Sequence, residues 1–154
     1  SNIPNCDVII GGFPCQDFSL AGKRKGFNSE RGKLYQQMLR IVKCKRPKVF
    51  VAENVEGISI NLDGNSPLDK IVDEFKKEGY NVEYKLFNTA DYGVPQMRKR
   101  IIIIGVQQKY DIEPYFPLPF LNENSWITAK QAIDDLWDKM DTNLIKNDEI
   151  TKSL

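Results

Sequence analysis

Two short and wholly apolar runs, Val49-Phe50-Val51-Ala52 and Ile101-Ile102-Ile103-Ile104, constrain this chain more than any other feature, because each is set among segments of helical periodicity. Apolar runs of this length bounded by polar residues read as strands buried in a sheet that helices cover. A third run, Asp7-Val8-Ile9-Ile10-Gly11-Gly12, is broken by glycines and reads as a buried strand ending in a loop. Leu34, Met38, Ile41 and Val42 recur at helical spacing, and the helix that they predict stops before Pro47, whose ring disfavours helical backbone in the preceding residue. Ser66-Pro67 supplies an N-cap and a first helical residue, Leu68, Ile71, Val72 and Phe75 form an apolar stripe, and Gly79 closes that helix. Residues 81–88 alternate like a strand with one covered face. They lie too near the isoleucine run for a helical crossover, so the two strands are expected to be antiparallel. After Pro114, Pro117 and Pro119, Thr128-Ala129-Lys130-Gln131 reads as a capping box for a helix carrying Ile133, Leu136 and Trp137. The order of elements predicts an α/β fold, a mixed sheet with helices on both faces.

Composition narrows the chemistry. The chain has 154 residues, enough for one domain with a full core, and none of its apolar runs approaches the ~18 residues of a membrane span. It contains no His, which excludes Ser-His-Asp and Cys-His catalysis within these residues. Cys6, Cys15 and Cys44 form no CxxC pair and no zinc spacing, so no metal is expected, and the odd number of thiols points to a reduced, cytoplasmic compartment. Net charge is only +1, yet ten of the basic residues fall between Lys23 and Lys48 against one acid, Glu30. Such a stretch is either a solvated helix face or a phosphate-compatible surface.

In open α/β sheets ligands gather beyond the carboxyl ends of the strands, so three loops deserve inspection. The first carries Gly11-Gly12-Phe13-Pro14-Cys15-Gln16. An isolated Cys is commonly a small core residue, but one flanked by Gly, Pro, Gln, Asp and Ser lies in a loop and can act as a nucleophile. The second loop carries Glu53-Asn54-Val55 directly after a buried strand. A carboxyl held there partly out of water would favour its protonated form and donate a proton or a hydrogen bond near neutrality; the bland alternative is a helix cap or an ion pair. In the third loop, alternation puts Gln96, Arg98 and Arg100 on one side of an extended chain. Two guanidiniums there could grip a carbonyl oxygen, a phosphate or a carboxylate, or could simply solvate an edge.

Taken in order, the blocks Gly12-Phe13-Pro14-Cys15-Gln16-Asp17-Phe18-Ser19, Glu30-Arg31-Gly32-Lys33-Leu34, Glu53-Asn54-Val55 and Asp91-Tyr92-Gly93-Val94-Pro95-Gln96-x-Arg98-x-Arg100 resemble those of the DNA cytosine-5 methyltransferases. Each block alone is weak, whereas four in order, covering about residues 3 to 137, are specific. The resemblance implies part of a Rossmann-like fold that uses S-adenosylmethionine and acts on double-stranded DNA with a flipped cytosine. Cytosine C5 is a poor nucleophile, so in this family a thiolate adds to C6 to make C5 electron-rich. By resemblance Cys15 is that nucleophile, Glu53 protonates or hydrogen-bonds N3 and the exocyclic amine, Arg100 holds the O2 carbonyl, and Arg98 supports the site or a phosphate. Phe13, Pro14 and Leu34 match positions that line the cofactor pocket. The loop after Cys15 resembles the family's active-site loop, so Gln16, Ser19, Lys23, Arg24, Lys25 and Arg31, with Gln96, are implied in contacts to DNA.

The family's opening Phe-x-Gly-x-Gly turn and the acidic residue that follows it have no counterpart in this sequence. The resemblance therefore implies that residues 1–154 are a central catalytic segment. The N-terminal cofactor-binding part and the target-recognition domain would be missing, and the chain alone would be inactive, unless a complementary subunit supplies the rest. A bacterial or phage restriction-modification setting is expected. The alternatives are a tRNA cytosine-5 methyltransferase with the same Cys and Glu, a non-catalytic binding module on the same fold, and a Cys-Glu-Lys amidohydrolase, which leaves the other blocks unexplained.

Overall fold

The computed structural model describes residues 3–14, 34–59 and 66–137. They form four strands, β1 (Val8–Gly12), β2 (Val49–Val55), β3 (Tyr80–Asn88) and β4 (Lys99–Gln107), and three α-helices, α1 (Tyr35–Lys45), α2 (Pro67–Lys77) and α3 (Ala129–Trp137). The strand order is β1-β2-β4-β3. β1 runs parallel to β2, with Val8 opposite Val49 and Gly12 opposite Glu53. β4 is antiparallel to both of its neighbours, which bears out the expected pairing of residues 81–88 with the isoleucine run. The chain divides into two compact units, Ser1–Asn88 with Arg98–Leu118, and Thr89–Met97 with Pro119–Leu154.

The first unit holds the whole sheet. Along β2 the side chains alternate, so Phe50, Ala52 and Asn54 are buried while Val49, Val51, Glu53 and Val55 are only partly so. Phe50 and Ala52 join Tyr35, Met38 and Val42 of α1, Leu68, Ile71, Val72 and Phe75 of α2, and Ile101 and Ile103 of β4 in one core. The Phe50 ring lies 4.4 Å from that of Phe75 and 5.3 Å from that of Tyr80, and it occupies the space where a Cβ on Gly105 would stand. That is why the isoleucine run gives way to glycine directly opposite Phe50.

Both helices of this unit pack on one face, so the expected cover on both faces is met on one face only among its described residues. On the other face of β1, Val8 and Ile10 are 52% and 79% exposed, so the strand that reads as buried from its sequence is covered on one face only among the described residues.

Local rules fix the helix ends as expected. α1 stops at Lys45 and Arg46 turns left-handed at φ 50 ahead of Pro47. Ser66 Oγ accepts a hydrogen bond from the Leu68 N–H, Pro67 opens α2, and Gly79, at φ 84, turns the chain into β3. In the second unit, the Thr128 N–H donates to Gln131 Oε1 at 2.9 Å and the Gln131 N–H to Thr128 Oγ1 at 3.2 Å, the reciprocal cap read from the sequence. Asp91 ties this unit together, its carbonyl accepting from the Phe120 and Leu121 N–H groups and its carboxylate from Trp126 Nε1. α3 leaves Ile133 and Leu136 exposed. No helix among the described residues is long and apolar enough to cross a membrane.

Candidate active site

The carboxyl ends of β1 and β2 lie side by side because the two strands are parallel and in register. Glu53 is the fifth residue of β2 and, by alternation, projects from the face opposite the helices. Gly12 stands opposite it on β1, and a Cβ at Gly12 would come within 3.5 Å of Glu53 Oε2, so the absent side chain leaves that carboxylate room. On the other side, β4 sets Arg100 opposite Val55. Arg100 Nε reaches Glu53 Oε1 at 2.7 Å, a charge-assisted hydrogen bond, and Arg98 Nη2 approaches the same oxygen at 4.0 Å. Arg100 is further held by Nη1 donating to the Lys99 carbonyl at 2.7 Å, and the Arg98 N–H donates to Asn88 Oδ1 at 3.2 Å. The intervening Lys99 pairs with Glu56 instead, at 3.7 Å.

Two guanidiniums therefore converge on one carboxylate, which agrees with the expectation that Arg98 and Arg100 lie on one side of the chain. The Glu53 side chain is 44% exposed, so it is partly withdrawn from water, as its place directly after a buried strand predicts, and it is also ion-paired, as the bland alternative has it. Neighbours of opposite charge, together with partial burial, define its surroundings. Exposed ion pairs contribute only about 0–1 kcal/mol to stability, so folding alone gives little reason for three charges to meet here. They form instead a polar cluster, open to solvent at the carboxyl end of the sheet, that can offer both hydrogen-bond donors and acceptors to a small planar group.

Phe13 continues from β1 into the first loop, where its partly buried ring packs against the core and lies 6.2 Å from that of Tyr35 in the first turn of α1. Leu34, just before α1, is 37% exposed, and Pro14 is exposed. Gln96 belongs to the second unit, where its carbonyl accepts from Thr89 Oγ1 at 2.6 Å. Cys15, Gln16, Ser19, Lys23, Arg24, Lys25 and Arg31 lie outside the described residues. Asn54 has no role in the sequence reading, yet it is 2% exposed and hydrogen-bonded across to the first loop. Its signal is its place: the residue after Glu53 on an alternating strand must face the core, where an amide needs partners.

Residues 1–153 match the family model described as C-5 cytosine-specific DNA methylase. Among curated relatives, the chain is 40% identical to the type II methyltransferase M.NgoFVII of Neisseria gonorrhoeae over 159 residues, which covers 99% of this chain and 42% of that protein. It is 43% identical to M.HgiCII of Herpetosiphon aurantiacus, covering 91% of this chain and 30% of that one. Thus the chain spans about two fifths or less of the length of these relatives. Among solved structures, a prophage-encoded E. coli protein described as a DNA modification methyltransferase superposes with a TM-score of 0.63 at 29% identity, covering 86% of this chain and 35% of that chain. The Entamoeba histolytica methyltransferase EhMeth shares the fold at a TM-score of 0.52 and 21% identity, with 77% of this chain and 34% of that one covered.

Proposed function

Since the chain belongs to the C-5 cytosine-specific DNA methylase family, we propose that it carries the chemical centre for methyl transfer from S-adenosylmethionine to C5 of cytosine in double-stranded DNA. The observation that supports this reading best is the grip of Arg100 and Arg98 on Glu53 beside the strand end that leads into Pro14-Cys15. A pyrimidine ring needs that combination of groups. The Cys15 thiolate adds to C6, and the electron pair of the C5–C6 bond moves toward C5 and the N3 side of the ring. Glu53 protonates or hydrogen-bonds N3 and the exocyclic amine, which stabilises the added charge, and Arg100 holds the O2 carbonyl. Arg98 keeps the carboxylate in place or meets a phosphate. C5 then accepts the methyl group, a base takes the C5 proton, and the thiolate leaves by elimination, restoring the aromatic ring.

Bound S-adenosylmethionine would supply an electrophilic methyl group. Phe13 and Pro14, just past β1, and Leu34, just before α1, are apolar and at least partly exposed, and they would hold the apolar part of such a donor. The rest of the donor's site is assigned to the counterpart of the relatives' remaining length, in the same polypeptide or in a complementary subunit, so the chain by itself is expected to be inactive. Because C6 is inaccessible inside a stacked duplex, the target base must be swung out, with Gln16, Ser19, Lys23, Arg24, Lys25, Arg31 and Gln96 as contacts to DNA. A restriction-modification role in the cytoplasm completes the reading.

The test is transfer of labelled methyl to DNA and to tRNA by a polypeptide that joins these residues to the relatives' remaining length, beside its Cys15→Ser variant. Label at cytosine C5 in DNA, lost in the variant, is expected. Label in tRNA alone would replace the substrate, and label in neither would favour a binding module.

A further inference from the structure

We infer that Asn54 is a positioning residue that ties the loop leading to Cys15 to the strand bearing Glu53, an inference that rests on the function proposed above. Glu53 and Asn54 are neighbours on β2 but project from opposite faces. Whereas Glu53 is open to solvent, Asn54 is 2% exposed, and both ends of its amide are used. Its Nδ2 donates to the Phe13 carbonyl at 3.2 Å, across 41 residues of sequence, and its Oδ1 accepts from the Val55 N–H at 2.9 Å. The carbonyl that it holds belongs to the residue two before Cys15, just past the last residue of β1, where ladder pairing with β2 has ended at Gly12↔Glu53.

That position matters because, among the described residues, β2 is the one strand that pairs with β1. Their register ends at Gly12, so no ladder bond to β2 holds Phe13 among the described residues. The partly buried Phe13 ring and the Asn54 amide are what hold residue 13, the ring against the core and the amide on its backbone. An apolar residue at position 54 would suit the core face better, since a buried amide is tolerated only when it is hydrogen-bonded. Reach across to the loop explains the amide, and the same side chain fixes the strand that carries the proposed acid. Asn54 thus links the backbone two residues before the proposed nucleophile to the strand of the proposed acid, and a displacement of about 1 Å in a catalytic geometry can cost on the order of 10²-fold in rate.

The test uses the same joined polypeptide. Asn54→Ala, and Asn54→Ser as a second variant should the first not fold, are compared with Tyr80→Phe. The Tyr80→Phe change removes a buried hydrogen bond to the Pro47 carbonyl at the far end of β2 and so controls for lost stability alone. In the Asn54 variants kcat for methyl transfer is expected to fall by about 10- to 100-fold while KM for DNA stays within about twofold. Tyr80→Phe should leave kcat unchanged. Hydrogen exchange over residues 8–14 should also speed up by about fivefold or more in the Asn54 variants only. A kcat loss no larger than that of Tyr80→Phe, or unchanged exchange over residues 8–14, overturns the positioning role. An inactive parent protein would instead refute the proposed function and remove the catalytic half of the inference, leaving the exchange result to decide whether the tether exists.

Discussion

The two ends of β2 are both polar, and they are built on opposite principles. At its amino end Gln107 is 3% exposed, and its Nε2 donates to the carbonyls of Arg46 and Pro47, the latter at 2.8 Å. The fully buried Tyr80 hydroxyl donates to the same Pro47 carbonyl at 2.7 Å, and the Arg46 guanidinium lies 5.2 Å from the centroid of the Tyr80 ring. Its buried donors are neutral and satisfied, and they close the corner between α1, β2, β3 and β4. At the carboxyl end, Glu53, Arg98 and Arg100 are charged and partly or half exposed. Removing the partner of a buried polar group costs about 1–3 kcal/mol of stability, whereas an exposed charge is nearly free to exchange its partner for a ligand. One end closes the fold, and the other is where the proposed function places the chemistry.

The comparison is broken most directly at Glu53. Glu53→Gln in the joined polypeptide is expected to lower kcat/KM for methyl transfer by about 10²–10⁴-fold, as loss of a positioned acid does, with a melting midpoint close to wild type. A loss of stability without a loss of rate would reverse the roles of the two ends. Gly105→Ala attacks the closed region, because its Cβ would intrude on the Phe50 ring. It should cost about 3 kcal/mol in urea unfolding, the upper part of the range for overpacking, and Phe50→Leu in the same chain should restore part of it. Gln107→Leu leaves the Arg46 carbonyl without its buried donor and should cost about 2 kcal/mol while the rate of the folded enzyme is unchanged.

The smallest effect is on alkaline stability. Burial, and then the Glu74 carboxylate that accepts the Tyr35 hydroxyl at 3.1 Å, push the Tyr35 phenol up to about 12. Its folded value is raised above its unfolded one, so its contribution is complete below the usual phenol range near pH 10 and is lost as pH rises to about 12. Tyr35→Phe should flatten the fall in stability across that window. An unchanged slope would mean that Tyr35 is not buried as described.

Much of the architecture was legible because it depends on local rules. Ser66-Pro67, Gly79 and Thr128–Gln131 act through their immediate neighbours, and the structure puts helix ends at each of them. The antiparallel β3–β4 pair followed from a connection too short for a crossover. Coverage of β1 was not legible, since a run such as Val8-Ile9-Ile10 is equally apolar whether one face or both are covered, and here Ile10 is exposed. In the site, alternation placed Arg98 and Arg100 on one side of the chain, but that both meet Glu53 follows from the β2–β4 register, which the sequence does not show. The approach of Gly12 to Glu53 was not legible, because the two meet across a parallel pair distant in sequence. Asn54 escaped for the same reason: its partner is 41 residues away.

The most direct measurement is covalent trapping on a duplex whose target cytosine carries fluorine at C5, in the presence of S-adenosylmethionine and the joined polypeptide. Fluorine cannot leave as the C5 proton does, so elimination stops after methyl transfer. Mass spectrometry is expected to find the oligonucleotide attached to the peptide containing Cys15, with the yield reduced in Glu53→Gln. Absence of any adduct on a duplex that the protein methylates in its unfluorinated form, or attachment at Cys6 or Cys44, would contradict the proposed chemistry at this end of the sheet.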